Sequence, residues 1–467
     1  MKSKLTVARQ MMFYALGLLL MKGISLLMLP VITRYLSPAE YGVLDALLTW
    51  LNVLGIILGL GLTEALYRFS AQHKHPHWIY QQLLQLQLWA ILPILLLCAL
   101  VVTLMADSLP AALQLPLLLM TLAIAALASA MTLPLCWLRL QDQADWFFYC
   151  TAGKALLQAL CCWLFLEWGY GLTGVLAASL LSHVVLLALL VKDAGILRQK
   201  PHFDLIQRQS LSYGLPLVFS GLCLFLVCGA ERWIIAGTLS ARDLALYAVA
   251  SQFALMVAVC IEPFTLWWFP KRLTLVQHPQ GLQQLANSAT LGCVLAMVAA
   301  VCIGTAGPVL IYQLLPVSYH QATSLLPLLC LAMALKQCSH LLNTGCYTGH
   351  STTQVGKINA YLAVLAPIAY VTGCVLADLH GLLLSLILLY FGRLVWFYRA
   401  SQSLLRLPYP LGRLAIALLP SAALLAISTT LPLWLLLLGT VLALTCSVVV
   451  AMPLLPSRPQ RLLGVAG

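Results

Sequence analysis

Seven ionisable side chains sit inside stretches that are otherwise apolar: Lys22, Asp45, Lys154, Glu231, Arg232, Glu262 and Lys336. A charge at membrane depth is expensive, so such residues face a protein interior or a water-filled cavity and mark pathways for ions or substrates. Four of them, Lys22, Lys154, Arg232 and Lys336, are cations, drawn from both halves of the chain. Lys and Arg are the usual partners of phosphate oxygens. Polar side chains accompany them at helical spacing: Ser25 after Lys22, Thr49 and Asn52 after Asp45, Gln158 after Lys154, His340 and Asn343 after Lys336. Residues three, four or seven apart share one helix face. The pattern predicts a water-filled, net-cationic cavity suited to an anionic headgroup. Lys22, Lys154, Arg232 and Lys336 would bind, and Asp45, Asn52, His340 and Asn343 would line it.

Plainer readings exist for each. The stems of Lys22 and Lys154 are long enough to snorkel to an interface. Glu231 and Arg232 are neighbours on a helix and do not face each other, so either can serve a structural ion pair elsewhere. Glu262 precedes Pro263 and can hydrogen-bond at a kink. A carboxyl held out of water at Glu231 or Glu262 would also suit coupling to an ion gradient. His73, His75 and His77 mimic a metal tract but sit in a basic loop and read as solvated. No metal and no cofactor is expected.

The elements that must position these groups follow from composition. Of 467 residues, 62% are hydrophobic and 8% charged, against about 25% charged in a soluble domain. So few charges exclude a water-soluble enzyme and point to an all-α polytopic membrane protein. Apolar runs predict about fourteen spans, near 11–33, 43–66, 83–105, 115–138, 147–166, 172–191, 211–238, 245–269, 283–305, 321–345, 358–377, 382–398, 414–431 and 433–454. Each is near the roughly 20 residues a crossing needs. The N-terminal run is expected to be an uncleaved first span, since no small-residue cleavage site interrupts it.

The net charge of +12 would suggest nucleic acid in a soluble chain. Here basic residues are expected in cytoplasmic loops instead. With the N-terminus inside, nineteen Lys and Arg fall in cytoplasmic segments, Arg393, Arg399 and the Val191 to Ser210 connector included, against Arg34 and Arg242 outside. The bias predicts an even number of spans with both termini cytoplasmic. The 15 Cys lie mostly within apolar runs and read as small packing residues. Gly55 and Gly59 form a small-xxx-small pattern expected to pack closely against a neighbour.

Ser37-Pro38-Ala39-Glu40 and Ser240-Ala241-Arg242-Asp243 lie 203 residues apart, as do Gly153-Lys154 and Gly356-Lys357. The shared offset predicts two six-helix lobes, residues 1–205 with their connector and 206–400. Residues 401–467 would add two helices and a cytoplasmic tail. Parallel repeats of this kind place cargo between lobes in secondary transporters. Gly153-Lys154 and Gly356-Lys357 lack the rest of a phosphate-binding loop. The outer loops are too short for a glycosyltransferase or polymerase domain.

The segment 33–45, TRYLSPAEYGVLD, resembles the opening signature of the polysaccharide-biosynthesis, or oligosaccharide flippase, family. That family falls in the multidrug/oligosaccharidyl-lipid/polysaccharide exporter superfamily. Tyr213-Gly214-Leu215-Pro216, the acidic-Arg pair Glu231-Arg232, the run 239–254 with Tyr247 and Ala250, and the glycine turn Gly169 to Gly174 are similar too. The resemblance covers roughly residues 5 to 400. The second glycine turn is reduced to Leu379-His380-Gly381, and the acid of the pair is Glu rather than Asp. The resemblance implies a bacterial inner-membrane flippase working by alternating access. Its cargo would be undecaprenyl-diphosphate-linked oligosaccharide, a repeat unit of O-antigen, capsule or exopolysaccharide. Membrane lipid, a glycan polymerase and a chain-length regulator would be its partners, and nucleic acid would not. The rivals are a drug–cation antiporter of the same superfamily, which would want an acidic or aromatic cavity, and a membrane-embedded glycan ligase or polymerase.

Overall fold

A computed structural model describes residues 4–104, 114–191, 205–276, 281–347 and 353–454. The basic residues Lys2, Lys192, Arg198, Lys200, Arg458 and Arg461 lie outside them, with most of the expected connector and tail. Among the described residues every regular element is helical. Lipid offers the backbone no hydrogen-bond partners, and a helix satisfies each peptide group within its own segment.

In chain order the helices are α1 (Lys4–Tyr35), α2 (Pro38–Gly59), α3 (Leu62–Gln72), α4 (Pro76–Leu104), α5 (Leu115–Ala130), α6 (Thr132–Leu140), α7 (Ala144–Glu167) and α8 (Gly171–Val191). They continue with α9 (Leu205–Cys228), α10 (Glu231–Thr238), α11 (Ala241–Val276), α12 (Gly281–Leu314), α13 (Ala322–Leu341), α14 (Thr353–Leu404), α15 (Leu411–Ile427) and α16 (Leu433–Ala451). Eleven stretches among the described residues are long and apolar enough to cross a bilayer. One of these, Gln354–Leu404, has 51 residues and breaks at Ala377 and Asp378, where φ is −155° and +50°. It supplies two crossings. The shorter apolar helix Leu411–Ile427 and the 32-residue α1 complete the fourteen expected from the sequence.

Several crossings are broken where the apolar pattern shows no break. The expected second span is α2 and α3, parted at Leu60 and Gly61, which have φ of +50° and +65°. The fourth is α5 and α6. The seventh is α9 and α10, divided just before Glu231.

Contacts divide the chain into two compact units, Met1–Ala245 and Leu246–Gly467. In the first unit, two signature segments explain themselves. Ser37 caps α2: the Glu40 N–H donates to Ser37 Oγ at 3.3 Å, and the Ser37 N–H donates to Glu40 Oε2 at 2.8 Å. Ser240 caps α11 in the same way, with Asp243 as the returning acid at 3.1 Å in both directions. Each box satisfies two orphan N–H groups of a helix start. The recurring Ser-x-x-acid is therefore one piece of local chemistry used twice.

Gly42 and Gly214 are required by close approach of main chain. A Cβ on Gly42 would run into the Ala241 carbonyl oxygen, and one on Gly214 into that of Leu60. Gly61 meets Gly214 from the other side, where an added Cβ would lie 2.7 Å from the Gly214 Cα. The break between α2 and α3 thus rests directly on α9. Gly55 and Gly59 do not pack as expected: nothing described lies within 4 Å of an added Cβ at either. Gly61→Ala should lose about 2–4 kcal/mol, combining a left-handed backbone with overpacking. Gly55→Ala should be neutral or slightly stabilising. Thermal unfolding in detergent reads both; equal midpoints would refute the close approach.

In the second unit α12, α13 and α14 pack together, with α15 and α16 against α12. The two parts of α14 meet at Gly373 and Gly381, each of which leaves room for the other's carbonyl oxygen. That contact serves where the sequence has Leu379-His380-Gly381 in place of a full glycine turn.

Candidate functional site

In the first unit the charges fall on two pairs of helices. α1 and α7 pack along each other. An added Cβ on Gly17 would lie 3.4 Å from the Phe148 ring and 3.6 Å from Thr151 Oγ1. Near the far ends the Tyr35 hydroxyl donates to Glu167 Oε1. These two ties fix parallel helices in register. Lys22 lies five residues beyond Gly17 and Lys154 three beyond Thr151, so they stand within a turn of the same level. Lys22 is exposed and Lys154 half-buried. His183 of α8 is within electrostatic reach of Lys154.

The second pair is α2 and α10. Arg232 Nε lies 2.8 Å from Asp45 Oδ2, with side-chain exposures of 18% and 9%. Asp45, one helix away, is thus a partner of Arg232, and the neighbouring Glu231 is itself buried. The break before α10 is what turns Arg232 onto α2. The Trp233 ring lies 4.6 Å from that of Trp50 and 4.9 Å from that of Phe225. Thr49 Oγ1 donates to the Asp45 carbonyl oxygen at 2.8 Å, and Asn52, on the same helix, is exposed. The arrangement can present a guanidinium, partly neutralised by Asp45, beside exposed indole surface on Trp50.

In the second unit α13 carries Lys336 and His340, both half-buried. Asn343, just beyond α13, is buried with its Oδ1 unpartnered. The Lys336 Nζ lies 5.9 Å from the Tyr390 ring centre of α14, and His340 is within electrostatic reach of both Lys336 and Arg393. Glu262 is half-buried on α11, where its carbonyl oxygen accepts from Thr265 Oγ1 at 2.8 Å. The structure brings Asp45 to Arg232 and Lys336 to His340.

Two features escaped the sequence reading. Arg393, counted there with cytoplasmic segments, is a buried side chain within α14, 2% exposed. The signal was present, because the expected span 382–398 itself contains it. The Trp50–Trp233 contact had no signal, since these residues are far apart in sequence.

The fold and its apolar helices define a multi-pass helical membrane protein. The family model for polysaccharide biosynthesis proteins matches residues 7–271, and the chain belongs to that family. Among solved structures it is similar to the lipid II flippase MurJ in an inward closed conformation, with TM-score 0.72 and 12% identity over 94% of this chain and 98% of that one. A MATE structure in the straight conformation follows at TM-score 0.58 and 15% identity, covering 85% and 95%. The Vibrio cholerae MATE transporter VcmN gives 0.53 and 17%, covering 86% and 98%. At these identities the likeness is one of fold. No curated protein matches in sequence.

Proposed function

We propose that this protein is a flippase, not an enzyme, for undecaprenyl-diphosphate-linked oligosaccharide. It carries a repeat unit of O-antigen, capsule or exopolysaccharide from the cytoplasmic to the periplasmic leaflet of the bacterial inner membrane by alternating access. The observation that carries this reading is the set of cations within the spans, Lys22, Lys154, Arg232 and Lys336, in a chain of the polysaccharide biosynthesis family. A diphosphate is an anion that Lys and Arg recognise, whereas a drug cation would be repelled. Asp45 holds Arg232 until the headgroup takes over part of its hydrogen bonding, and Trp50 offers an apolar face for a sugar ring. Asn52, His340 and Asn343 supply neutral polar contacts. Glu231 and Glu262 are the groups through which an ion gradient would act. A polymerase and a chain-length regulator would take the product.

Both termini face the cytoplasm in this proposal. Reporter fusions after Arg34 and Asp378 should read periplasm and one after Lys74 cytoplasm; the reverse would invert the direction of transport. Expression in a strain lacking its own flippase should restore surface glycan. Failure across strains with O-antigen, capsule and exopolysaccharide pathways, with normal protein in the membrane, would refute the reading.

A further inference from the structure

Arg393 poses a problem that the proposed function does not use. It stands well inside the second part of α14, at 1.5 Å per residue roughly 21 Å from Leu379 and 16 Å from Leu404. Its side chain is 2% exposed, and Nε and Nη1 are buried without a hydrogen-bond partner. Arg stays protonated in proteins, so this charge cannot be relieved by losing a proton. The Phe397 ring, 5.2 Å from the guanidinium carbon, offsets only part of its lost hydration.

The surroundings add positive charge. Lys336 is a second cation and reaches the Tyr390 ring, one turn before Arg393, and the neutral His340 imidazole stands within electrostatic reach of both. The buried Asn343 amide is also unsatisfied at Oδ1, and O and N of an amide interchange by a flip. Among the described residues of the second unit no acid is paired with them. The sequence from Leu246 onward holds two carboxylates, Glu262 and Asp378. Asp378 sits at the kink, roughly 22 Å along the helix from Arg393, and Glu262 makes no ion pair with the group among the described residues. Two cations, Arg393 and Lys336, with the neutral His340 imidazole as a further hydrogen-bonding group and unsatisfied N–H groups on Arg393, are what a charged oxyanion requires.

We propose that Arg393, Lys336 and His340 form a buried site for a phosphate-type oxyanion within the second unit. Half-buried Lys336 and His340 are its entry side, and Arg393 is its closed end. The anion is a lipid diphosphate headgroup or a free inorganic phosphate. The first source rests on the flippase reading above, and the second does not.

The test is thermal unfolding of the purified full-length chain at constant ionic strength, titrated separately with inorganic phosphate, pyrophosphate, farnesyl diphosphate and farnesol. Stabilisation by the phosphate compounds and not by farnesol is expected. Arg393→Gln should weaken the apparent Kd at least tenfold and Lys336→Met several-fold, while Lys357→Met, an exposed lysine on the same helix, should leave it unchanged. Stabilisation by farnesyl diphosphate alone assigns the site to a lipid headgroup; equal effects of pyrophosphate assign it to a free anion. If Arg393→Gln does not fold, Arg393→Lys and Lys336→Met carry the comparison. No stabilisation by any phosphate compound, or wild-type Kd in the Arg393 and Lys336 variants, overturns the site. Glycan export is scored in parallel. Export without anion binding sinks this inference alone, and anion binding without export sinks the flippase reading alone.

Discussion

Asp45→Ala and Arg232→Ala should each lower the stability of the protein by about 3 kcal/mol, the usual penalty for leaving one member of a buried ion pair alone. Asp45→Asn combined with Arg232→Gln should lose much less than the sum of the single changes. The pair is short, 2.8 Å, and little exposed, so neither partner is fully rehydrated when the other goes. The two single variants should still differ in kind. Asp45 left alone can take up a proton, whereas Arg232 left alone stays charged and must find water through its more exposed side. Unfolding in detergent of the two singles and the double completes a cycle, with an expected coupling of about 2 kcal/mol. Additive losses would show that the contact does not join α2 to α10.

The second large effect concerns transport. Lys22→Met and Lys154→Met should each reduce glycan export about tenfold or more at normal protein level. A charged hydrogen bond contributes about 1.5–3 kcal/mol, and 1.4 kcal/mol is a factor of ten. The two lysines stand within a turn of each other on α1 and α7 and are proposed to act on the same headgroup. The double variant should therefore fall further than either single. Arg at these positions should keep part of the activity, and Arg232→Lys likewise, because charge is retained while the planar fork is gained or lost. Lysines that merely snorkel to an interface would tolerate Met with full export.

The sequence told most about what lipid dictates and least about what tertiary contact dictates. Fourteen crossings were legible because each needs a long apolar run; the Ser37 and Ser240 segments stood out as a repeat, and the structure shows that what repeats is a helix cap. The breaks at Leu60–Gly61 and before Glu231 were hidden inside continuous apolar stretches. Gly214 was visible as part of a signature, but its reason, the Leu60 carbonyl oxygen against it, belongs to another helix. Gly55 and Gly59 misled for the same cause: spacing shows which residues share a face, not whether anything packs on it. Arg232 was picked out by depth, while Asp45 as its partner could come only from the fold. Arg393 was counted with loop charges although the expected span 382–398 contains it, so its burial within α14 went unread.

The central claim is that this chain moves a lipid-linked oligosaccharide across a bilayer, and reconstitution tests it most directly. Purified protein is placed in liposomes holding a fluorescent undecaprenyl-diphosphate-linked oligosaccharide. The fraction reached by an impermeant glycosidase is then followed with time. The account predicts that nearly all of the label becomes accessible in liposomes containing the protein, while about half stays protected in empty ones, and that Lys22→Met with Lys154→Met restores the protection. Protection equal to that of empty liposomes, with the protein folded and inserted, would contradict it.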